Sequence, residues 1–311
     1  MRILKETDID FLSKRKTALI FSVFLIVAGL AVTIFKGGPN YSIDFLGGTE
    51  IRVGFDQLPP TNDVRQTLAD IGFANAEIKV ISEIGNPKDD ILVRIEQQQL
   101  ETQISDSVMA ALQAQFSANL PVNRGVDSVG PKIGSELREA GVLSVIFSLL
   151  LILVYISIRF EFVYGIGAIA ALFHDVLITF GMFSIIGFEL SLSVIAAFLT
   201  IIGYSLNDTI VVFDRIRENV KKLRKEKFTR VLNISINQSL SRTVVTSLTT
   251  LLVVLVLFLL GGEVLRSFSF ALLIGVLVGT YSSVFIATPV VAEWQERRMQ
   301  KQAQKPAAKR K

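Results

Sequence analysis

Two ionisable pairs stand in stretches that are otherwise apolar. Asp208 lies in the run Gly203-Tyr204-Ser205-Leu206-Asn207-Asp208-Thr209, six residues before Asp214. Six helical residues rise ~9 Å, so if Asp214 marks a membrane surface, Asp208 lies inside the hydrocarbon. A charge at that depth costs ~3 kcal/mol on insertion scales, so it needs a partner or a task. Thr200, Tyr204 and Asp208 recur at i, i+4 and i+8 with Asn207 alongside. On a helix this spacing predicts one polar stripe, which must face protein or water. Arg242 opens the next apolar stretch and is followed by Thr246, Thr249 and Thr250. An aspartate and an arginine at similar depth lower each other's charging cost, and protonating the acid would release the arginine. The chemistry this predicts is reversible protonation.

His174-Asp175 is the second pair, near the middle of another apolar stretch. It reads either as a packing pair satisfied by neighbouring Ser, Thr or carbonyl groups, or as part of a proton path. Glu161, Glu189 and Glu263 fall in short connections and read as solvated.

Other chemistry is excluded. The chain has no cysteine and a single histidine, so thiolate sites, disulfides and His-cluster metal sites are out. There is no Gly-rich phosphate loop ending in Lys-Ser/Thr, so no nucleotide site is expected. No enzyme constellation and no cofactor is predicted; protons are the coupling ion.

The elements that must position these residues are membrane helices. Half of the 311 residues are hydrophobic and 19% are charged, with a mean hydropathy of +0.51. A soluble chain carries about 25% charge. Spans are expected at 17–35, 140–158, 162–186, 190–213, 244–260 and 266–292. The first follows Lys14-Arg15-Lys16 as a signal peptide would, but Phe35-Lys36-Gly37-Gly38-Pro39 is no cleavage site, so it reads as a retained anchor. Gly165-x-Gly167 and Gly275-x3-Gly279 supply small residues for close helix approach.

Basic residues crowd the connection 214–243, at Arg215, Arg217, Lys221, Lys222, Arg224, Lys225, Lys227, Arg230 and Arg242. They recur in the tail 293–311, at Arg297, Arg298, Lys301, Lys305, Lys309, Arg310 and Lys311. The positive-inside rule then places both termini, including residues 1–16, in the cytoplasm of a multi-pass inner-membrane protein. The same rule accounts for the basic segments without nucleic acid; the surrounding partner is lipid.

Residues 36–139 are expected outside, with nine Lys/Arg against fifteen Asp/Glu. Strand signals cover 41–55, 77–84, 90–95 and 122–129, with a turn at Gly85-Asn86-Pro87; helix signals cover 62–71 and 102–116. The order β-α-β-β-α-β is ferredoxin-like. The expected fold is thus a six-helix transmembrane bundle with one extracytoplasmic α+β domain.

Four segments resemble one family. Tyr41-Ser42-Ile43-Asp44-Phe45-Leu46-Gly47-Gly48-Thr49 and Val129-Gly130-Pro131-Lys132-Ile133-Gly134-Ser135-Glu136-Leu137 are similar to segments flanking the outer domain of SecD and SecF proteins. The run Gly203 to Glu218, and Ser239-x2-Arg242-Thr243-x2-Thr246-Ser247, resemble the fourth- and fifth-span signatures of the SecF branch. The resemblance implies membership of the SecD/SecF family in the RND superfamily and an RND-like half of six spans. It implies SecD as heterodimer partner, association with the SecYEG translocon, YajC and further out YidC, and action on an unfolded preprotein. It also implies that Asp208 and Arg242 carry proton coupling for protein export. A structural scaffold in the Sec holotranslocon and an RND-type small-molecule exporter are the alternatives.

Overall fold

Six helices among the described residues are long and apolar enough to cross a membrane: Leu12–Phe35, Pro131–Arg159, Phe162–Ile186, Leu192–Lys222, Phe228–Leu260 and Leu265–Arg298. The computed structural model describes residues 7–81, 89–96 and 101–303. Gly85-Asn86-Pro87, and Lys305, Lys309, Arg310 and Lys311 of the basic tail, lie outside the described residues.

In chain order a 3₁₀ turn (Leu12–Lys14) leads into α1 (Arg15–Phe35) and α2 (Ile43–Leu46). Then come β1 (Gly48–Gly54), α3 (Thr61–Asp70), β2 (Glu77–Ile81), β3 (Asp90–Ile95), α4 (Glu101–Gln115) and β4 (Val122–Val129). The chain ends with α5 (Pro131–Arg159), α6 (Phe162–Ile186), α7 (Leu192–Lys222), α8 (Phe228–Leu260), α9 (Gly262–Ser282), a π turn (Ser283–Ala287) and α10 (Thr288–Ala303).

The four strands form one antiparallel sheet in the order β2-β3-β1-β4. This is the ferredoxin-like arrangement expected from the β-α-β-β-α-β order. Alternation explains the core: Ile51 and Val53 of β1, with Ile91, Val93 and Ile95 of β3, point to one face. Val64 and Leu68 of α3 and Ile104, Val108 and Leu112 of α4 cover that face.

The strand expected over 41–55 is broken in the structure. Ile43–Leu46 is a helical turn whose N-cap, Ser42, accepts a hydrogen bond from Asp44 N at 3.3 Å. Gly47 and Gly48 then take φ of +77° and +132°, a region that glycine enters freely. A Cβ on Gly47 would lie 2.7 Å from Pro131 Cα. Phe45 therefore packs with Phe183, Leu190, Val194 and Phe198 of the bundle, not with the sheet core.

The connection expected over 214–243 is mostly helix, with only residues 223–227 between α7 and α8. At ~1.5 Å per residue α7 is ~46 Å long, well beyond a ~30 Å hydrocarbon core. Hydropathy marks where apolarity stops; Arg, Lys and Glu continue the helix because they are good helix formers.

Small residues set the helix spacing. A Cβ on Gly29 of α1 would lie 2.5 Å from Gly181 Cα of α6, so these helices cross backbone to backbone. A Cβ on Gly279 of α9 would lie 2.9 Å from Ser205 Cβ of α7, so that crossing also depends on small residues. The π turn widens the last span, and Thr288 Oγ1 donates to Ser283 O at 2.9 Å across it.

The sheet and the α6–α7 turn share one end of the bundle, joined through Glu189 to Arg94 and Lys79. The opposite end holds the N-terminal segment and the start of α8. There Asn233 Oδ1 accepts from Phe11 N and Leu12 N at 3.1 and 3.2 Å, and Asp8 pairs with Arg230 at 2.8 Å.

Candidate functional site

Asp208 lies near the middle of α7 and is 3% exposed. Its Oδ2 is 3.5 Å from Ser247 Oγ of α8, and that hydroxyl is 2.7 Å from Thr280 Oγ1 of α9. Thr280 gives its own proton to Val276 O at 2.7 Å. The Ser247 hydroxyl lies between Thr280 at 2.7 Å and Asp208 at 3.5 Å, so Asp208 is buried with only a long hydrogen bond. A buried carboxylate with so little hydrogen bonding is weakly compensated for its lost hydration.

His174 and Asp175 are held differently. Asp175 is fully buried, and its Oδ2 accepts from Ser205 Oγ at 2.6 Å and Ser282 Oγ at 2.8 Å. Its Oδ1 lies 2.9 Å from His174 Nδ1. On the other side of the ring, His174 Nε2 is 2.8 Å from Ser22 Oγ, which is 3.1 Å from Tyr281 OH. Tyr281 OH donates to Ala18 O at 2.8 Å, and its ring stacks on His174. The network ties α1, α6, α7 and α9 together around the buried His174–Asp175 pair.

The other residues that the sequence pointed to are not brought into this interior. Thr200 and Asn207 of α7 and Arg242 of α8 are exposed on this chain, and Tyr204 is half-buried. Among the described residues, no ion pair joins Asp208 to Arg242. The expected direct pair is replaced by Ser247, because the buried stripe of α8 is Ser239, Thr243 and Ser247, one residue on from Arg242. One residue turns a helix by ~100°. Thr246 and Thr250 follow the Arg242 side and donate to carbonyls of their own helix, Arg242 O at 2.7 Å and Thr246 O at 3.0 Å. Glu161 is exposed as expected. Glu189 is not merely solvated: it is half-buried and ion-paired.

Sequence reasoning missed Ser22, Ser205, Ser247, Thr280, Tyr281 and Ser282. The i, i+4, i+8 spacing of Ser239, Thr243 and Ser247 was a usable signal. Nothing in the local sequence marks Ser22 or Tyr281, since their partners lie 152 and 263 residues away.

Residues 108–297 match the family model described as protein export membrane protein SecD/SecF, C-terminal, and residues 32–57 match the SecD/SecF GG motif. The chain belongs to the SecD/SecF protein-export family. Among its relatives in that family, the protein translocase subunit SecF of Rhodothermus marinus is 42% identical over 303 residues, covering 96% of each chain. That of Thermodesulfovibrio yellowstonii is 43% identical over 295 residues, covering 94% of this chain and 96% of the relative. The crystal structure of SecDF from Thermus thermophilus, described as a translocon-associated membrane protein, is 39% identical with a TM-score of 0.82. It is matched by 94% of this chain over 39% of its own length. SecDF in its super-membrane-facing form gives 39% identity and a TM-score of 0.72, with 97% and 41% covered. This SecD/SecF chain thus spans about two-fifths of those SecDF chains. The GG-motif match spans the Gly47-Gly48 turn, whose Gly47 packs on α5.

Proposed function

We propose that this chain is the smaller subunit of a SecDF-type complex in the bacterial inner membrane, using the proton-motive force to assist protein export through SecYEG. Protonation of Asp208 shifts the bundle between two packings, and the sheet domain, on the periplasmic side, acts on the emerging polypeptide. The observation that carries this reading is the burial of Asp208 on α7 with one long hydrogen bond as its compensation. A structural carboxylate is held as Asp175 is, with short hydrogen bonds to both oxygens.

The uncovered polar face supports a second set of spans. Thr200, Asn207 and Arg242 lie in spanning helices and are exposed on this chain alone. Lipid rejects such groups, so they are covered by a protein partner, for which SecD is the family's candidate. Arg242 then acts on Asp208 from that interface and not as a contact ion pair. His174, Asp175, Tyr204, Thr246 and Thr250 support the bundle around it. SecYEG, YajC, YidC and the unfolded preprotein are the remaining partners. The chain is a coupling subunit and not an enzyme; it uses no cofactor, and protons are its coupling ion. Basic residues at the bundle end opposite the sheet support a cytoplasmic side for both termini.

The energetics set the scale. Moving one charge through the membrane potential supplies ~2.3 kcal/mol per 100 mV. Driving a two-state element from 1:99 to 99:1 needs ~5.5 kcal/mol. More than one proton, or a pH gradient as well, therefore drives each stroke. The test is proton-conductance recording from the reconstituted complex with SecD, with and without a translocating chain. Asp208→Asn is expected to assemble yet lose both conductance and proton-dependent export. Normal export by that variant would overturn the reading and favour a passive scaffold.

A further inference from the structure

The sheet-side end of the bundle carries a charge cluster that proton binding at Asp208 does not use. Glu189, in the turn between α6 and α7, is hydrogen-bonded to Lys79 of β2 and Arg94 of β3. Arg94 is 14% exposed and is held from the sheet side by Glu50 of β1 at 2.9 Å and Glu77 of β2 at 3.3 Å. Lys79 also meets Glu77, at 2.9 Å. Cations from β2 and β3 thus converge on one carboxylate of the bundle, with Glu50 of β1 and Glu77 of β2 bracing them. A bifurcated, half-buried arrangement of this kind constrains direction as well as distance, which a single solvated ion pair does not.

Backbone contacts grip the same turn. Ser42 N donates to Leu190 O at 2.9 Å, and Leu190 N donates to Asn40 O at 2.7 Å. Asp44 Oδ2 accepts from Leu192 N at 2.9 Å, capping the first turn of α7. Lys36 Nζ donates to Ser184 O at 2.7 Å in the last turn of α6. Asp44 sits in the α2 turn, which Gly47 and Gly48 join directly to β1. The helix that carries Asp208 is therefore bonded at its start both to the GG turn and to the far strands of the sheet. Regular helices and packed sheets transmit a shift as rigid bodies, so what joins them decides whether it is passed on.

We infer that Glu189 and Asp44 are positioning residues that transmit displacement of α7 to the sheet domain, coupling proton binding inside the membrane to work on the polypeptide outside it. This deepens the proton-driven reading and rests on it. Its signature is uncoupling: loss of the grip leaves proton movement intact and stops the domain from following.

The experiment uses the complete complex reconstituted with SecD, measuring proton conductance and preprotein export in the same vesicles. Glu189→Lys places a third cation against Lys79 and Arg94. Export is expected to fall about ten-fold, the scale of an ordinary coupling between two sites, with conductance unchanged. Glu189→Gln, which keeps shape and loses charge, is expected to fall part of the way and guards against misfolding of the lysine variant. Adding Lys79→Glu to Glu189→Lys reverses one pair and is expected to recover export. Full export by Glu189→Lys would overturn the inference, and so would parallel loss of conductance and export in Glu189→Gln. Asp208→Asn in the same vesicles reports on the proton-driven reading separately, since that variant loses conductance and the Glu189 variants do not.

Discussion

His174 Nε2 and Ser22 Oγ lie 2.8 Å apart, so the only histidine of the chain bonds the first span to the third across 152 residues of sequence. That contact is one link in a hydrogen-bonded chain from Asp175 to Ala18 O.

Breaking the chain at two adjacent links should have unequal effects. Ser22→Ala leaves His174 Nε2 without its partner and is expected to destabilise the bundle by ~1–3 kcal/mol, the cost of an unsatisfied buried polar group. His174→Phe keeps the stack on Tyr281 but strands Asp175 Oδ1 and leaves the Ser22 hydroxyl only its contact with Tyr281, and should be the worse of the two. Thermal unfolding of the purified subunit in detergent would rank them.

Ser247→Ala should affect export weakly. Its contact with Asp208 is 3.5 Å long, and even a normal neutral hydrogen bond contributes only ~1 kcal/mol, or about five-fold. Export lowered by less than that is expected, beside the complete loss predicted for Asp208→Asn. Preprotein export assays of the two variants make the comparison.

Gly29→Ala should separate α1 from α6. The added Cβ would lie 2.5 Å from Gly181 Cα, a backbone atom that cannot swing aside. Overpacking of this kind costs ~1–3 kcal/mol. Gly203→Ala is the control in the isolated subunit, since nothing lies within 4 Å of its Cβ position. Melting temperatures in detergent should fall for the first and hold or rise for the second.

Attachment of the sheet to the bundle should depend on pH with a defined sign. Burial raises the Glu189 carboxyl, but the hydrogen bonds and charges of Arg94 and Lys79 outweigh it and hold the group below its ordinary 4.5. Stability from a lowered acid is complete above the unfolded value and is lost as pH falls through the folded one. Burial lowers Lys79, but Glu189 and Glu77 outweigh it and raise the amine above 10.5. Its contribution is complete below that value and lost as pH rises past the folded one. Hydrogen-exchange protection at 77–81 and 187–191, relative to the intrinsic rate at each pH, should therefore be high near neutrality and fall as pH drops below the carboxyl's ordinary 4.5.

The N-terminal segment should come loose when its asparagine dock is removed. Asn237 both accepts from Ile9 N at 3.0 Å and donates to Ile9 O at 2.9 Å, while Asn233 caps the 3₁₀ turn. Asn233→Ala is expected to cost ~1–2 kcal/mol locally and to speed protease cleavage before α1, with the spans unaffected.

The sequence by itself determined the six spans, the ferredoxin-like strand order and the need to shelter Asp208. Each follows from local physics: a bilayer demands a run of apolar residues, a half-buried strand alternates, and a lone carboxylate cannot stand in lipid. Hydropathy stopped short at the ends of α7 and α8, because charged residues end apolarity without ending a helix. It read 41–55 as one strand, because alternation at Ile43 and Phe45 does not reveal that two glycines turn the chain onto α5. Tertiary structure decided which side of each helix faces inward. It set Ser247 and not Arg242 beside Asp208, and it joined His174 to Ser22 and Glu189 to Arg94. A helix offers every side chain a direction some ~100° from the last; only packing against its neighbours selects the ones that meet.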